Sequence, residues 1–135
     1  MNGKLGGGLA AIGDTPLVRL GPLVPDGAAE VWVKLEGANP TGSYKDRMAI
    51  ALVANGLERG DIRPGDTLVE FTGGSTGTAL AFVAAVYGLE FTAVFSDAFS
   101  AGKQQAMEAF GATVLVEPSV DGMITNELAE RMRVR

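Results

Sequence analysis

The sequence predicts an α/β fold in which helices cover both faces of a parallel sheet, giving three layers. From residue 67 onward, segments rich in β-branched and aromatic residues alternate with segments of helical spacing. The strand segments are apolar on both faces, which is typical of parallel strands buried between helices. The predicted strands are Thr67–Phe71, 91–95 and Thr113–Glu117.

Before residue 60 the sequence predicts two short extended segments and one helix. Residues 15–20 and 31–35 are rich in β-forming side chains, and a proline- and glycine-containing turn separates them. A loop over 37–42 leads into a helix that begins at Ser43. Ser43 and Asp46 have the spacing of a capping box, with aspartate in place of the usual glutamate.

After residue 71 the predicted helices are separated by short loops. A loop over 72–77 precedes a helix over 78–87 that is apolar nearly all round, so we expect it to be buried. Ser100 is predicted to cap the helix over 100–110, and a last helix begins at residue 125. Together with the strands, these helices form successive strand–helix units of a parallel sheet.

The composition excludes several classes of site. The chain has 135 residues, which corresponds to about one domain, and contains no cysteine and no histidine. Disulfides, Ser-His-Asp triads and the usual His/Cys zinc sites are therefore impossible. Covalent catalysis would have to use Lys, Ser, Thr, Tyr or a carboxylate. A net charge of −5 argues against nucleic acid as a partner.

No targeting or membrane segment is expected. The first twelve residues lack a sustained apolar run, so they do not resemble a signal peptide. The apolar stretch over 78–95 is divided by Gly88 and Glu90 into pieces too short to cross a bilayer. We therefore expect a cytoplasmic protein.

The loop over 72–77, Thr-Gly-Gly-Ser-Thr-Gly, is a candidate anion site. It joins the end of a strand to the start of a helix, where ligands bind in parallel α/β sheets. The first N–H groups of a helix lack partners and the helix dipole is positive there. A tight turn with a hydroxyl cap is the alternative. The loop matches neither GxGxxG nor the Walker A order, which weakens a generic nucleotide-binding domain as a third hypothesis.

Lys45 is a candidate nucleophile. It lies in the first turn of its predicted helix, where the dipole disfavours an ammonium. That position, with any burial, favours the neutral amine, which is the form that attacks a carbonyl. A solvent-exposed lysine without a chemical role is the alternative.

Several motifs in the right order resemble cysteine synthase and cystathionine β-synthase, which are fold type II pyridoxal-phosphate enzymes. The resemblance covers about residues 11–132. Its longest part is Lys-Leu-Glu-Gly-Ala-Asn-Pro-Thr-Gly-Ser-Tyr-Lys-Asp-Arg at 34–47. The other parts are residues 12–18, 65–70, the loop over 72–77 and 109–112.

The resemblance implies β-replacement on serine or O-acetylserine with pyridoxal 5′-phosphate as cofactor. It implies that Lys45 is the Schiff-base lysine and the base at the α-carbon. The residues implied to bind the substrate α-carboxylate are Thr72, Gly73, Gly74, Ser75 and Thr76. Two of these depart from the family pattern. Gly73 replaces a serine, and Ser75 replaces an asparagine that contacts the cofactor's ring hydroxyl.

The resemblance also implies that this chain is truncated. Residues 1–35 correspond to a segment that packs on a large domain, and residues 36–135 to the small α/β domain with the lysine and the carboxylate loop. The glycine-rich phosphate-binding loop and the residue facing the pyridine nitrogen lie in the part that is absent. We therefore expect an incomplete site, inactive alone, and exposed apolar surface that favours a homo-oligomer. A non-catalytic remnant or an oligomerising interaction module is the alternative function.

Overall fold

The structure is a computed structural model that describes residues 7–133. The first six residues of the predicted 1–35 segment and the last two of the predicted 36–135 domain lie outside the described residues. Five strands and four α-helices are found in the described part of the chain. The strands are β1 Leu17–Arg19, β2 Trp32–Lys34, β3 Thr67–Phe71, β4 Glu90–Ser96 and β5 Thr113–Glu117. The helices are α1 Lys45–Arg59, α2 Ser75–Tyr87, α3 Ala101–Ala109 and α4 Asn126–Arg133.

The main sheet is parallel and confirms the predicted α/β class. Its order is β3-β4-β5, with Thr67 opposite Glu90 and Thr92 opposite Thr113. The central strand β4 is buried on both sides, as its continuous apolar sequence predicts.

Helices cover both faces of this sheet, so the three predicted layers are present. The side chains of Phe91, Ala93 and Phe95 alternate onto one face and pack in the main core cluster with α1, α2 and Met107 of α3. Val94 points to the opposite face and packs with Leu128 of α4 in a second cluster.

The N-terminal extended segments form a separate two-stranded sheet. β1 and β2 pair antiparallel, with Val18 opposite Val33. Leu17 and Trp32 on these strands are 59% and 52% exposed. Leu9, by contrast, is buried in the main core cluster with side chains of α1, α2 and β4.

Three predicted element starts or caps are wrong. α2 begins at Ser75, three residues before the predicted start, because the hydroxyl of Thr72 lies outside the helix and accepts the N–H of Gly77 within it. Ser43 and Asp46 do not form a capping box, since α1 begins at Lys45 without a side-chain cap. Ser100 precedes α3 but likewise makes no side-chain cap hydrogen bond.

Candidate active site

The candidate site lies at the edge of the parallel sheet where β3 and β4 end. Because the two strands are parallel and in register, the loops that follow them emerge side by side. Helix α1 ends at Arg59, and a short turn leads from it to the start of β3. α1 therefore begins near the other edge of the sheet, where β3 ends. α1 packs against α2. The first residues of both helices, Lys45 and Ser75, therefore belong to the same end of the domain.

Lys45 is the first residue of α1 and is half-buried. Its Nζ lies 4.7 Å from the ring centroid of Tyr44. In the described part of the chain its ammonium makes no ion pair, whereas Arg47 two residues later does. The amine of this half-buried residue is therefore not engaged by a carboxylate of the described residues.

Thr72 holds the loop over 72–77 through hydrogen bonds to its side chain. Its side chain is only 4% exposed, and its Oγ1 accepts the N–H of Gly77 at 2.9 Å and that of Gly74 at 3.3 Å. Gly77 must be glycine, since a Cβ there would lie 2.4 Å from Thr72 Cγ2 and 2.5 Å from Met107 Sδ. Thr72 therefore satisfies one of the free donors at the start of α2.

Other donors at the start of α2 remain available. Within residues 7–133, the backbone N–H groups of Gly73, Ser75 and Thr76 donate to no protein acceptor. The side chains of Ser75 and Thr76 are half-buried, and their hydroxyls have no partner in the same part of the chain. Three N–H groups and two hydroxyls at the positive end of a helix can bind a carboxylate or another small anion.

Phe99 in the loop between β4 and α3, and Lys103 in α3, lie beside the glycines of the candidate site. Ring atoms of Phe99 lie 2.6–3.1 Å from the position that a Cβ on Gly73 would take. The aliphatic stem of Lys103 lies 3.5 Å from the corresponding position on Gly74. Neither residue was predicted to belong to the site. The signal was indirect, because parallel neighbouring strands bring their following loops to one edge.

A hydrogen-bonded network holds the segments around the first turn of α1. Arg47 binds Glu36 through two bonds, from Nε at 2.8 Å and from Nη2 at 3.0 Å. Thr15 donates its hydroxyl to Glu36 at 2.6 Å, and Asn39 donates to the same carboxylate at 3.0 Å. Asn39 also accepts the N–H of Gly13 at 3.0 Å.

These bonds stabilise the charged form of Glu36. The hydrogen bonds from Arg47 and Thr15 lower its pKa to about 2. The same pairing raises the pKa of Arg47. Bidentate arginine–carboxylate pairs are directional as well as strong, so this pair fixes the orientation of the turn that carries Lys45.

Asp46 provides a second anchor for that turn. Its carboxylate is fully buried and accepts the N–H of Thr41 at 2.8 Å as well as the Thr41 hydroxyl. The hydroxyl of Ser43 accepts the N–H of Lys45 at 3.2 Å. Asp46 therefore stabilises the loop before α1 and not the cap that the sequence predicted.

The described residues contain no cluster of three or more His, Cys, Asp or Glu side chains able to hold a metal ion. Across residues 7–133 no helix is both long enough and apolar enough to cross a membrane.

Comparisons with known proteins show to which family the chain belongs. A family model described as "pyridoxal-phosphate dependent enzyme" matches residues 9–133. Cysteine synthase B of Salmonella typhimurium strain LT2 is 46% identical over 112 residues, which are 83% of this chain and 37% of that protein.

Two solved structures are similar to this chain over most of its length. The crystal structure of O-ureido-L-serine synthase has a TM-score of 0.77 at 42% identity, covering 92% of this chain and 40% of that one. A hydrogen sulfide-producing enzyme from Fusobacterium nucleatum has a TM-score of 0.81 at 32% identity, covering 96% and 42%. The chain spans about two fifths of the length of these relatives. The family match and the cysteine-synthase relatives together place the chain in the family of pyridoxal-phosphate dependent enzymes.

Proposed function

We propose that this chain carries the lysine and the substrate-carboxylate loop of a cysteine-synthase-like enzyme that performs β-replacement on serine or O-acetylserine. One observation carries the proposal. A half-buried lysine without an ion-pair partner begins a helix at the same sheet edge where unpaired N–H groups of a second helix open. An amine and an anion site at one edge match what an amino-acid substrate and an aldehyde cofactor require.

Each side chain has a defined role in this proposal. Pyridoxal phosphate, when bound, supplies an electron sink for negative charge at the substrate α-carbon. The Lys45 amine would hold the cofactor through its aldehyde group and would move the α-proton of the substrate. The N–H groups at Gly73, Ser75 and Thr76 bind and orient the substrate carboxylate, while Thr72 and Gly74 hold the loop in shape. We also propose that the Ser75 hydroxyl would hydrogen-bond the ring hydroxyl of the cofactor.

The residues present fit part of such a cofactor site. Lys45 offers a reactive amine, and the loop offers donors for a carboxylate. We assign none of residues 7–133 to a glycine-rich loop that would bind the cofactor phosphate. Because the chain spans about two fifths of its relatives' length, cofactor binding is a more decisive measurement than turnover.

The test adds pyridoxal phosphate to the wild-type chain and to a Lys45→Ala variant. We expect yellow absorbance in the wild type, and a borohydride-stable adduct on the peptide containing Lys45 by mass spectrometry. Lys34→Ala is the control, because Lys34 is an exposed lysine whose Nζ donates to the carbonyl of Thr15. An adduct that survives in Lys45→Ala, or no adduct in the wild type, contradicts the proposal.

A second candidate function is a non-catalytic module that oligomerises. The exposed apolar side chains of Leu17 and Trp32 on the small antiparallel sheet favour it. In this proposal β1 and β2 form the docking surface. Light scattering that gives a defined dimer, with no Lys45-dependent absorbance, supports it. A monomer that forms the adduct on Lys45 contradicts it.

A further inference from the structure

The ring of Phe99 packs directly on Gly73, so closely that it leaves no room for a side chain at position 73. Atoms Cε1, Cζ and Cδ1 of the ring lie 2.6, 2.7 and 3.1 Å from the site of a Cβ on Gly73. Non-bonded carbon atoms prefer a separation of about 3.5–4.0 Å. The ring therefore occupies the space that a side chain would need, and position 73 is restricted to glycine while the ring stays where it is.

The ring is held from behind by the central strand. Its centroid lies 5.4 Å from that of Phe95, with 52° between the ring planes, and Phe95 is only 1% exposed. The N–H of Phe99 donates to the carbonyl of Ser96 at 3.0 Å, which closes a tight turn after β4. The side chain also packs against both hydrophobic clusters. The side chain of Phe99 is consequently held in place by packing and is not a mobile surface side chain.

We propose that Phe99 is a positioning residue for carboxylate binding by the loop over 72–76. The inference rests on the proposed function, in which the N–H groups of Gly73, Ser75 and Thr76 bind the substrate carboxylate. Gly73 and Gly74 together have the largest backbone freedom of any pair, so an unsupported loop would lose much entropy on binding.

Two supports remove that freedom before the ligand arrives. The hydroxyl of Thr72 accepts the N–H groups of Gly74 and Gly77, and the ring of Phe99 restricts the backbone conformations open to Gly73. Ordering a binding loop in advance raises affinity by reducing the entropy lost on binding. Phe99 thereby makes a loop with a glycine in place of a hydroxyl side chain competent to bind a carboxylate.

The steric part of the proposal is tested without any ligand. Gly73→Ser should lower the melting temperature by about 5 °C, as overpacked substitutions do in a domain of this size. In a Phe99→Ala background the same serine should cost much less, so the two changes should be strongly non-additive. Equal cost of Gly73→Ser in both backgrounds overturns the contact.

The positioning part is tested by amide hydrogen exchange at Gly74 and Gly77 and by ligand discrimination. Both of these N–H groups donate to Thr72 Oγ1, and Phe99→Ala should speed their exchange about tenfold, since local opening no longer displaces a ring. In the presence of pyridoxal phosphate, it should weaken binding of L-serine about tenfold and leave the carboxylate-free L-serinamide unchanged. Phe99→Leu, which keeps apolar bulk, should recover part of both effects.

Phe110→Ala is the matched control. Phe110 is also half-buried and packs at 5.4 Å against another ring, that of Phe82, yet it does not contact the glycine loop. It should reduce stability without changing exchange at Gly74 and Gly77 or the preference for L-serine. The same changes in Phe110→Ala as in Phe99→Ala would reduce Phe99 to a general core residue and overturn the proposal.

The outcome separates the two levels of inference. If the wild type binds L-serine in preference to L-serinamide and Phe99→Ala keeps that preference, only the positioning role fails. If the wild type shows no preference, the proposed carboxylate function fails and the positioning role fails with it, even where the steric cycle succeeds.

Discussion

Replacing Gly77 by alanine should destabilise the protein, although alanine is the better helix former. In a helix interior the exchange usually stabilises by about 0.5–1 kcal/mol. Here the new Cβ would meet Thr72 Cγ2 at 2.4 Å and Met107 Sδ at 2.5 Å, whereas ordinary contact begins at 3.4 Å. Thr72 and Met107 are both buried, so neither side chain can move aside without disturbing the core.

The expected magnitude follows from two opposing contributions. Overpacking a well-packed core costs about 1–3 kcal/mol. Displacement of Thr72 would also weaken its bond to the Gly77 N–H, and loss of such a cap costs about 1 kcal/mol. Subtracting the helix-propensity gain leaves a net destabilisation of about 2 kcal/mol, or a fall of roughly 5–10 °C in melting temperature.

Gly102→Ala is the matched control for this prediction. Gly102 is an exposed helical glycine of α3, and its added Cβ would meet only Ser100 Oγ at 3.6 Å, an ordinary contact. We expect it to stabilise by about 0.5 kcal/mol. Urea denaturation of both variants measures the two signs. If Gly77→Ala is as stable as the wild type, the tight packing between Thr72, the start of α2 and Met107 is refuted.

Two further predictions concern the turn that carries Lys45. The pKa of Glu36 is lowered from 4.5 to about 2, so its carboxylate contributes stability that is present above pH 4.5 and lost as pH falls toward 2. The melting temperature of Glu36→Gln should therefore lie below that of the wild type at pH 7, and the difference should narrow as the pH falls from 4.5 toward 2. A constant difference contradicts the lowered pKa of Glu36. Asp46→Asn leaves one oxygen for the two donors of Thr41, which should cost about 1–3 kcal/mol by urea denaturation. Thr41→Ser keeps both donors and should stay within about 0.5 kcal/mol of the wild type; if it loses as much as Asp46→Asn, the hydrogen bonds are not the cause.

The strands were predicted more accurately than the helix starts. β3 and β5 have the predicted bounds, because a run of apolar and β-branched residues between turn signals is a local pattern. The start of α2 was placed three residues late. Ser75 and Thr76 are poor helix formers in isolation, but the hydroxyl of buried Thr72 accepts the N–H of Gly77 and stabilises a helix start that includes them.

The candidate site was predicted residue by residue but not as an assembly. Lys45 and the loop over 72–77 were identified from helix-end electrostatics and from motifs, and both are found at helix starts. That Phe99 and Lys103 contact the loop was not predicted, since they are separated from it by more than twenty residues of strand and helix. The roles of Lys45 and of residues 72–76 remain predictions for the experiments above.

The local pattern of the sequence determined the α/β class, the strand–helix order and the exclusion of His- and Cys-based chemistry. These depend on side-chain periodicity and on residue types, which are properties of the chain itself. Only the tertiary structure decided which donors stay unpaired and which are used internally. Thr72 is occupied as a cap, Asp46 is bound to Thr41, and Gly73 is limited by a ring from the next strand–helix unit. The physical reason is that hydrogen bonding and close packing join residues distant in sequence, and no local pattern encodes which partner lies across the fold.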